Sequence, residues 1–500
     1  MSKTEQFSNR WGIILASLGM AIGAGNLWRF PRLAGQYGGS FILLWILFLF
    51  IWSIPLLLSE FAIGKKFKSG VIGSFGKLAG KKYTFMGVFI TVCTLGIAFY
   101  YSVVTAWAVR YLGFSVFNAT NTWSGGETLE QNLAADPAYL DTFWTSMSTG
   151  NWVTVAVFAV VVVGGVLLLV KGVSNGLEKA NRVLIPSLFA LLIIIVIVVL
   201  NMPNGIKGLD YMFAIRWEDF ENPTIWIEAL SQSAWSTGAG WGLMMTLSSY
   251  TRSNEDVTLN TFIGAFGNNS ASLLAGMAIL PAVFALAPTE GDAVAYLQSG
   301  NQALTFTVIP RLFSQLPAGE IMSIVFFLAL SIAAFSSFLP MVELLQRNLG
   351  DLGLTRKRAF VLVIVIFLAF GFPSAWSLDF FSNQDWAWGV GLIISGLFIL
   401  FAVAKYGVLK FKAELIDIDS DMKVSNLYFR FFIWLNIPLA VFLTYWWMSQ
   451  GYSANPWFDE SGKWNVMDVY SNASIVTQWA VVILGGILLN GMLYRKLVKG

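Results

Sequence analysis

The sequence predicts an all-α integral membrane protein of twelve transmembrane helices, and three features carry that expectation: composition, the length of the apolar runs, and the distribution of lysine between loops. Of 500 residues, 56% are hydrophobic, 15% aromatic and only 12% charged, against about a quarter charged in soluble domains. Such a chain needs lipid as its solvent. Runs long enough to cross roughly 30 Å of hydrocarbon fall near 11–37, 41–64, 83–113, 152–170, 177–201, 224–250, 257–288, 319–349, 358–375, 384–405, 427–449 and 473–494, which makes twelve spans. The first run lacks a small-residue cleavage site and continues through Leu27, Trp28 and Phe30, so it reads as a mature span rather than a signal peptide.

The loop 64–82 carries Lys65, Lys66, Lys68, Lys77, Lys81 and Lys82, whereas 114–150 carries Glu127, Glu130, Asp136 and Asp141 and no cation. The positive-inside rule puts the first in the cytoplasm and the second outside. Arg347, Arg356, Lys357 and Arg358 between spans 8 and 9, and Arg495, Lys496 and Lys499 at the end, fit the same frame. Both termini are expected in the cytoplasm and the bilayer is expected to be the inner membrane.

Composition also excludes functions. A net charge of +3 without an exposed basic-aromatic stretch argues against nucleic acid. With no histidine and only Cys93, neither an intrachain disulfide nor a Cys/His metal cluster can form. An enzyme would need a nucleophile or acid–base pair near one face, and no such constellation stands out. No obligate protein partner is indicated.

Spans 1 and 6 are abnormal in corresponding places. Span 1 reads Gly19-Met20-Ala21-Ile22-Gly23-Ala24-Gly25-Asn26 and span 6 reads Trp235-Ser236-Thr237-Gly238-Ala239-Gly240-Trp241-Gly242, both glycine-rich at mid-membrane. Interrupted segments at matching positions of two halves are a pointer to a transporter binding site. The five-helix offset implies two repeats, and an odd number of spans per repeat inverts one half against the other. Helices 1–10, residues 1–405, would form this inverted-repeat core, with helices 11 and 12 and the tail in 406–500. Glycines alone fit close helix packing. Asn26 and Arg29 beside them do not, because intramembrane polar and ionisable groups are costly unless paired or at work.

Arg10-Trp11-Gly12 followed by Gly23-Ala24-Gly25-Asn26-Leu27-Trp28-Arg29-Phe30-Pro31 resembles the first-helix signature of neurotransmitter:sodium symporters, of a bacterial type. Tyr100-Tyr101, Lys171 to Glu178, Asn268 and Ala333-Ala334-Phe335-Ser336-Ser337 extend the likeness from residue 10 to roughly 400. Inverted repeats with broken helices are a known property of that family. The resemblance implies a sodium-coupled symporter that imports an amino acid or similar small zwitterion by alternating access. A receptor that binds the solute without moving it, and a symporter of a betaine or sulfonate, remain alternatives.

By the same resemblance, one sodium would be held by the Ala21 carbonyl, Asn26, Asn268, Ser236 and the substrate carboxylate. A second would use the Gly19, Ile22 and Ala333 carbonyls with Ser336 and Ser337. Oxygen ligands of this kind suit hard cations. Ser272 stands where chloride-independent relatives resemble one another in carrying an acid, so chloride is expected, with Gln232, Ser236, Asn268, Ser272 and Trp45 as ligands; Trp45 replaces the usual tyrosine. Gly23 stands where monoamine carriers resemble one another in having aspartate, which favours a substrate that brings its own carboxylate. That group would meet Ala24, Gly25 and Tyr101, inside a wall of Met20, Ala21, Ile97, Trp235, Ser236, Gly238, Trp241, Ser337 and Met341. Once substrate is bound, Arg29 would form the outer gate with Asp385, or with Asp379, over a lid of Tyr101 and Trp235. The inner gate would use Asp351 and Tyr250, with Thr4 and Phe7 where the family resembles an Arg and a Trp, and Lys3 as the nearest cation. Glu60 would brace unwound span 6.

Overall fold

The computed structural model describes residues 5–316, 318–450 and 453–499, and it is helical throughout apart from one isolated bridge, Phe458 to Trp464. Ten of its helices are long and apolar enough to cross a membrane by themselves. The passes reach twelve because span 6 crosses as two short halves, and because spans 1 and 2 are joined with almost no loop.

Span 1 begins as Arg10–Ala21, leaves helical geometry at Ile22 and Gly23, and resumes at Ala24. The second half runs to Gly38, whose left-handed φ of 58° folds the chain back into span 2, closed by a π-helical stretch Leu49–Ser53 and the helix Ile54–Phe67. Only glycine fits there, since a side-chain carbon would also press on the Ala214 carbonyl at 2.9 Å. The expected boundary between 37 and 41 is therefore a single residue.

Span 3, Thr84–Trp123, runs ten residues past its expected end and holds the centre of the bundle. Span 4 is Trp152–Leu169, span 5 Lys179–Leu200, span 7 Val257–Leu286 and span 8 Gly319–Asp351. Spans 9 to 12 are Arg356–Trp376, Leu378–Tyr406, Asn426–Ser449 and Asn472–Tyr494. The lysine-rich loop is partly helical (Val71–Ala79), as is the connection between spans 5 and 6 (Gly205–Phe213).

Span 6 falls into Pro223–Ser236 and Leu243–Ser248. Between them Gly238, Gly240 and Gly242 all hold φ between 72° and 93°. Three left-handed residues at alternate positions cannot continue a helix, and only glycine adopts them without strain. The peptide groups so released need partners at this depth. Glu60, fully buried in span 2, accepts the Gly240 amide at 2.6 Å.

Span 1 runs away from the lysine-rich face and span 6 runs toward it, so the halves are inverted and the two breaks meet: a side-chain carbon at Gly238 would touch Met20 Cε at 3.1 Å. Residues near both termini lie on the lysine-rich face, Phe7 against Tyr250 and Val498 against Gly76. Around the perimeter, Val160, Ile197, Val365, Phe442 and Leu488 project outward, as lipid-facing side chains do.

Candidate functional site

At the span 1 break the hydrogen bonds are made by side chains instead of the helix. Asn26 Oδ1 accepts the Gly23 amide at 2.9 Å, which fixes its Nδ2 toward Asn268 Oδ1 (2.8 Å) and Ser272 Oγ (2.7 Å). With Asn26 so fixed, the Asn268 oxygen also faces the carbonyl oxygens of Ser236 at 2.9 Å and Ala21 at 3.1 Å. Three acceptors converge there, and a cation relieves that repulsion directly. Ser236 Oγ lies 3.2 Å from the other end of the same amide. The Asn268 oxygen and the Ala21 and Ser236 carbonyls of the first sodium set thus meet at one point and suit the ion, whereas Asn26 turns its Nδ2 toward it and orients Asn268 rather than offering its own oxygen.

The second set is gathered as well. Ser336 Oγ donates to Ala333 O at 3.0 Å and Ile22 O at 3.3 Å, and Ser337 Oγ donates to Gly19 O at 3.0 Å and Met20 O at 3.2 Å. Both hydroxyls and three broken-helix carbonyls therefore join span 8 to span 1 through oxygen alone. Back-bonding to the helix's own carbonyl, the ordinary habit of a membrane serine, accounts only for Ala333.

Beside these oxygens a cavity of about 460 Å³ opens toward the face opposite the lysine-rich loop. Met20, Ala21, Gly25, Tyr101, Trp235, Ser236, Gly238, Trp241, Ser337 and Met341 line it as expected. The Tyr101 phenol accepts the Ala24 amide at 2.9 Å, and a side-chain carbon at Gly25 would meet nothing within 4 Å. Open space at the start of a half-helix, next to a phenol, suits a carboxylate. Trp235 and Trp241 meet edge to face at 5.4 Å, and the absence of a side chain at Gly389 admits the Trp235 ring. One wall assignment needs correction, and one amide expected to meet the carboxylate is engaged elsewhere. Ile97 is fully buried behind the cavity surface, and Ala24 contributes its amide to Tyr101 while its side chain points into the bundle.

Of the expected chloride ligands, Trp45 is wedged against Phe30 (4.6 Å between rings), with its indole N–H buried and unpartnered among the described residues. Gln232 Oε1 is likewise buried and unpartnered among the described residues. The orphaned Trp45 N–H is a donor, as an anion requires, and its rigid mounting fixes the approach, whereas the orphaned atom of Gln232 is an acceptor and offers an anion nothing in this orientation.

Both gate regions hold pairings that the sequence did not single out. Arg29 pairs with Glu228 at 3.0 Å and donates to Ser231 at 3.0 Å, both on the outer half of span 6. Asp385 stands on the cavity wall, and Asp379 lies exposed in the first turn of span 10, where a carboxylate favours the helix dipole. The Arg29 charge is taken by Glu228, and no ion pair joins Arg29 to Asp385 or Asp379 among the described residues. Glu228 lies inside the predicted span 224–250, and the cost rule applied to Arg29 would have flagged it.

On the lysine-rich side Tyr250 and Phe7 take part in the closure as expected, but Glu343, Arg356 and Glu5 stand in it where Asp351 was expected. Arg356 reaches Glu5 at 2.5 Å and buried Glu343 at 3.5 Å, and Glu343 accepts the Tyr250 phenol at 2.6 Å. Phe7 donates its amide to Tyr250 O at 3.1 Å. Asp351 instead accepts the Gly70 amide at 2.6 Å and pairs with Arg347 at 3.5 Å, so it braces the loop rather than the N-terminal segment. Lys3 and Thr4 lie outside the described residues.

Lys68 caps span 2 in a left-handed turn, donates to Thr251 and accepts from Arg347 at its carbonyl. Burial first, then the charges of Lys65 and Arg347, push its ammonium down to about 8 from an ordinary 10.5, against a smaller upward pull from Glu255. A lysine held below its unfolded value costs stability while charged in the fold, fully so below pH 8, and the cost is relieved as pH rises toward 10.5. Thermal melting is therefore expected to rise between pH 8 and 10 and to be flatter in Lys68→Met; equal slopes in both would refute this.

The fold and site define a class: a polytopic helical carrier whose solute and ion sites lie where two broken helices cross. The chain belongs to the Sodium:neurotransmitter symporter family, whose model matches residues 4–498. A sodium-dependent transporter of Methanocaldococcus jannaschii is 33% identical over 369 residues, 73% of each chain. The sodium-dependent transporter YhdH of Bacillus subtilis is 29% identical over 463 residues, covering 89% of this chain and 97% of its own. Among solved structures, MhsT in complex with L-phenylalanine aligns with a TM-score of 0.75 and 26% identity over 88% of this chain and 99% of that one. The match includes the last two spans, beyond the stretch in which the motifs lie. The protein is a sodium-coupled membrane symporter, and its relatives are transporters rather than enzymes.

Proposed function

We propose that the chain imports an amino acid or similarly small zwitterion together with sodium bound at two sites, with chloride as a co-ion, across the inner membrane, both termini being cytoplasmic. The observation that carries this reading is the convergence of Asn268 Oδ1 with the Ala21 and Ser236 carbonyls beside an open half-helix start at Gly25. A substrate carboxylate at Gly25 would complete the first ion's shell, so solute and sodium bind as one unit. The L-phenylalanine in complex with MhsT, at the similarity given above, supports an amino-acid substrate. The test is radiolabelled uptake into proteoliposomes with an imposed sodium gradient, over a panel of amino acids, betaines and sulfonates. Uptake of none, with sodium-dependent binding of one, would favour a receptor.

Chloride follows from Ser272, which leaves the first cation without a fixed neighbouring carboxylate, and from the unanswered Trp45 N–H. Replacing chloride by gluconate is expected to lower uptake at least several-fold; unchanged uptake removes the co-ion. Two sodium ions, one chloride and a zwitterion carry one net charge, worth roughly 2.3 kcal/mol per 100 mV, so uptake is accompanied by inward current.

For the outer gate, Arg29 exchanges Glu228 for Asp385 as the cavity closes. Glu228→Gln removes only a partly exposed pair and is expected to change maximal uptake by less than about threefold. Asp385→Asn removes the partner of the occluded state and is expected to lower it about tenfold or more. Equal effects would mean that no exchange takes place.

A further inference from the structure

Asn181, on span 5, is fully buried, and neither its Oδ1 nor its Nδ2 has a hydrogen-bond partner among the described residues. A buried amide that answers to nothing is rare, because each group gives up water and receives no replacement. A side-chain carbon built at Gly19 would come within 2.7 Å of Asn181 Oδ1 and 2.8 Å of its Cγ and Nδ2, so the amide lies directly against the span 1 backbone. Gly19 is the residue whose carbonyl accepts Ser337 Oγ at 3.0 Å.

Toward the lysine-rich face, Glu178 sits against Gly12 in the same way, 2.6 Å from a side-chain carbon built there, and accepts the Ser8 amide at 2.9 Å. Gly12 and Gly19 are seven residues apart, about two helical turns, and so share one face of Arg10–Ala21. That face meets span 5 through glycine on one side and through oxygen-bearing side chains on the other. From mid-membrane inward the seam presents the carbonyls and hydroxyls of the second cation site, then an unsatisfied amide, then a carboxylate.

We propose that Asn181 is a further sodium ligand, whose amide oxygen receives the second cation on the cytoplasmic side of its site as the ion leaves between spans 1 and 5. A neutral oxygen one step beyond the Gly19 carbonyl lets the ion exchange ligands singly instead of leaving its shell at once; Glu178, further inward, is already engaged by Arg182 and Ser8 and is no part of the proposed step. The inference rests on the reading of Ser336, Ser337 and the three carbonyls as a sodium site. An amide whose missing partner were water would be indifferent to sodium.

The test is thermal melting of the full chain in detergent, without organic solute, as NaCl replaces choline chloride at constant ionic strength. Asn181→Leu keeps the volume and removes the oxygen; it is expected to raise the sodium midpoint about tenfold while melting in choline chloride is unchanged or higher, because an unmet amide has gone. Asn181→Asp supplies an anionic oxygen and is expected to lower the midpoint. Ser337→Ala, which removes an assigned ligand, is measured alongside. If Ser337→Ala raises the midpoint while both Asn181 variants keep the parent value, Asn181 is no ligand and the proposal is overturned. If Ser337→Ala also leaves the midpoint unmoved, the second site itself has been misread and the proposal falls with it. Should Asn181→Leu fail to fold, Asn181→Asp decides by the same criterion.

Discussion

Asn26→Leu is expected to reduce sodium-dependent uptake by about a hundredfold or more, the loss of roughly 2.7 kcal/mol of coupling. Three bonds end on this buried side chain, and each does something different. The Gly23 amide holds the span 1 break open, Asn268 is oriented so that its oxygen meets two carbonyls, and Ser272 is engaged where the co-ion is proposed. Leucine fills the volume and answers none of them, leaving buried groups unmet at about 1–3 kcal/mol each. The variant should therefore also melt lower, and added NaCl should no longer raise its melting temperature. Uptake within tenfold of the parent would show that Asn26 is a structural cap and the ion lies elsewhere.

Glu60→Ala is expected to have the largest effect on stability, about 3 kcal/mol or more. Its carboxylate takes the Gly240 amide at 2.6 Å. That amide is the one a continuous helix would have given to the Ser236 carbonyl, four residues earlier. By taking it, Glu60 leaves Ser236 O facing Asn268 and Ala21. Removing the carboxylate strands the amide in a dry interior or lets it turn back to its own helix, where it would compete for a carbonyl assigned to sodium. Glu60→Gln keeps one acceptor oxygen and should cost about 1 kcal/mol, with a weaker sodium response. Melting in NaCl and in choline chloride separates the two effects, and an alanine variant as stable as the parent would rule out the brace.

The breaks in spans 1 and 6 and the inverted halves were legible in the sequence because they are written in residues that a plain membrane helix avoids, whereas the serine pair of span 8 stood out only through the family resemblance, serine being ordinary in membrane helices. Glycine at alternate positions cannot be helical once its φ turns positive, and an asparagine in the bilayer must find partners. Pairings between distant spans were less legible. Arg29 declares a need for an acid without naming it, and Glu228, Asp379 and Asp385 all satisfy that need by type. Only the open outer cavity decides among them. The inner closure is half legible for a related reason: the family pattern points to Tyr250, which takes part, and to Asp351, while the partner of Tyr250 is Glu343, buried inside span 8 with the same cost signal and also in reach of Arg356. Ile97 illustrates a third limit, since whether an apolar side chain faces a cavity or lies one layer behind it depends on shape rather than composition.

The glycine-built turn of span 6 also bears on how such a carrier can diversify. Most oxygens assigned to sodium belong to the backbone or to small hydroxyls and amides whose positions the breaks dictate, whereas the solute cavity is bounded by Met20, Trp235, Trp241 and Met341 through their side chains. Ion chemistry and solute shape are therefore encoded in separable alphabets. A lineage can rewrite the second, residue by residue, while the first stays intact.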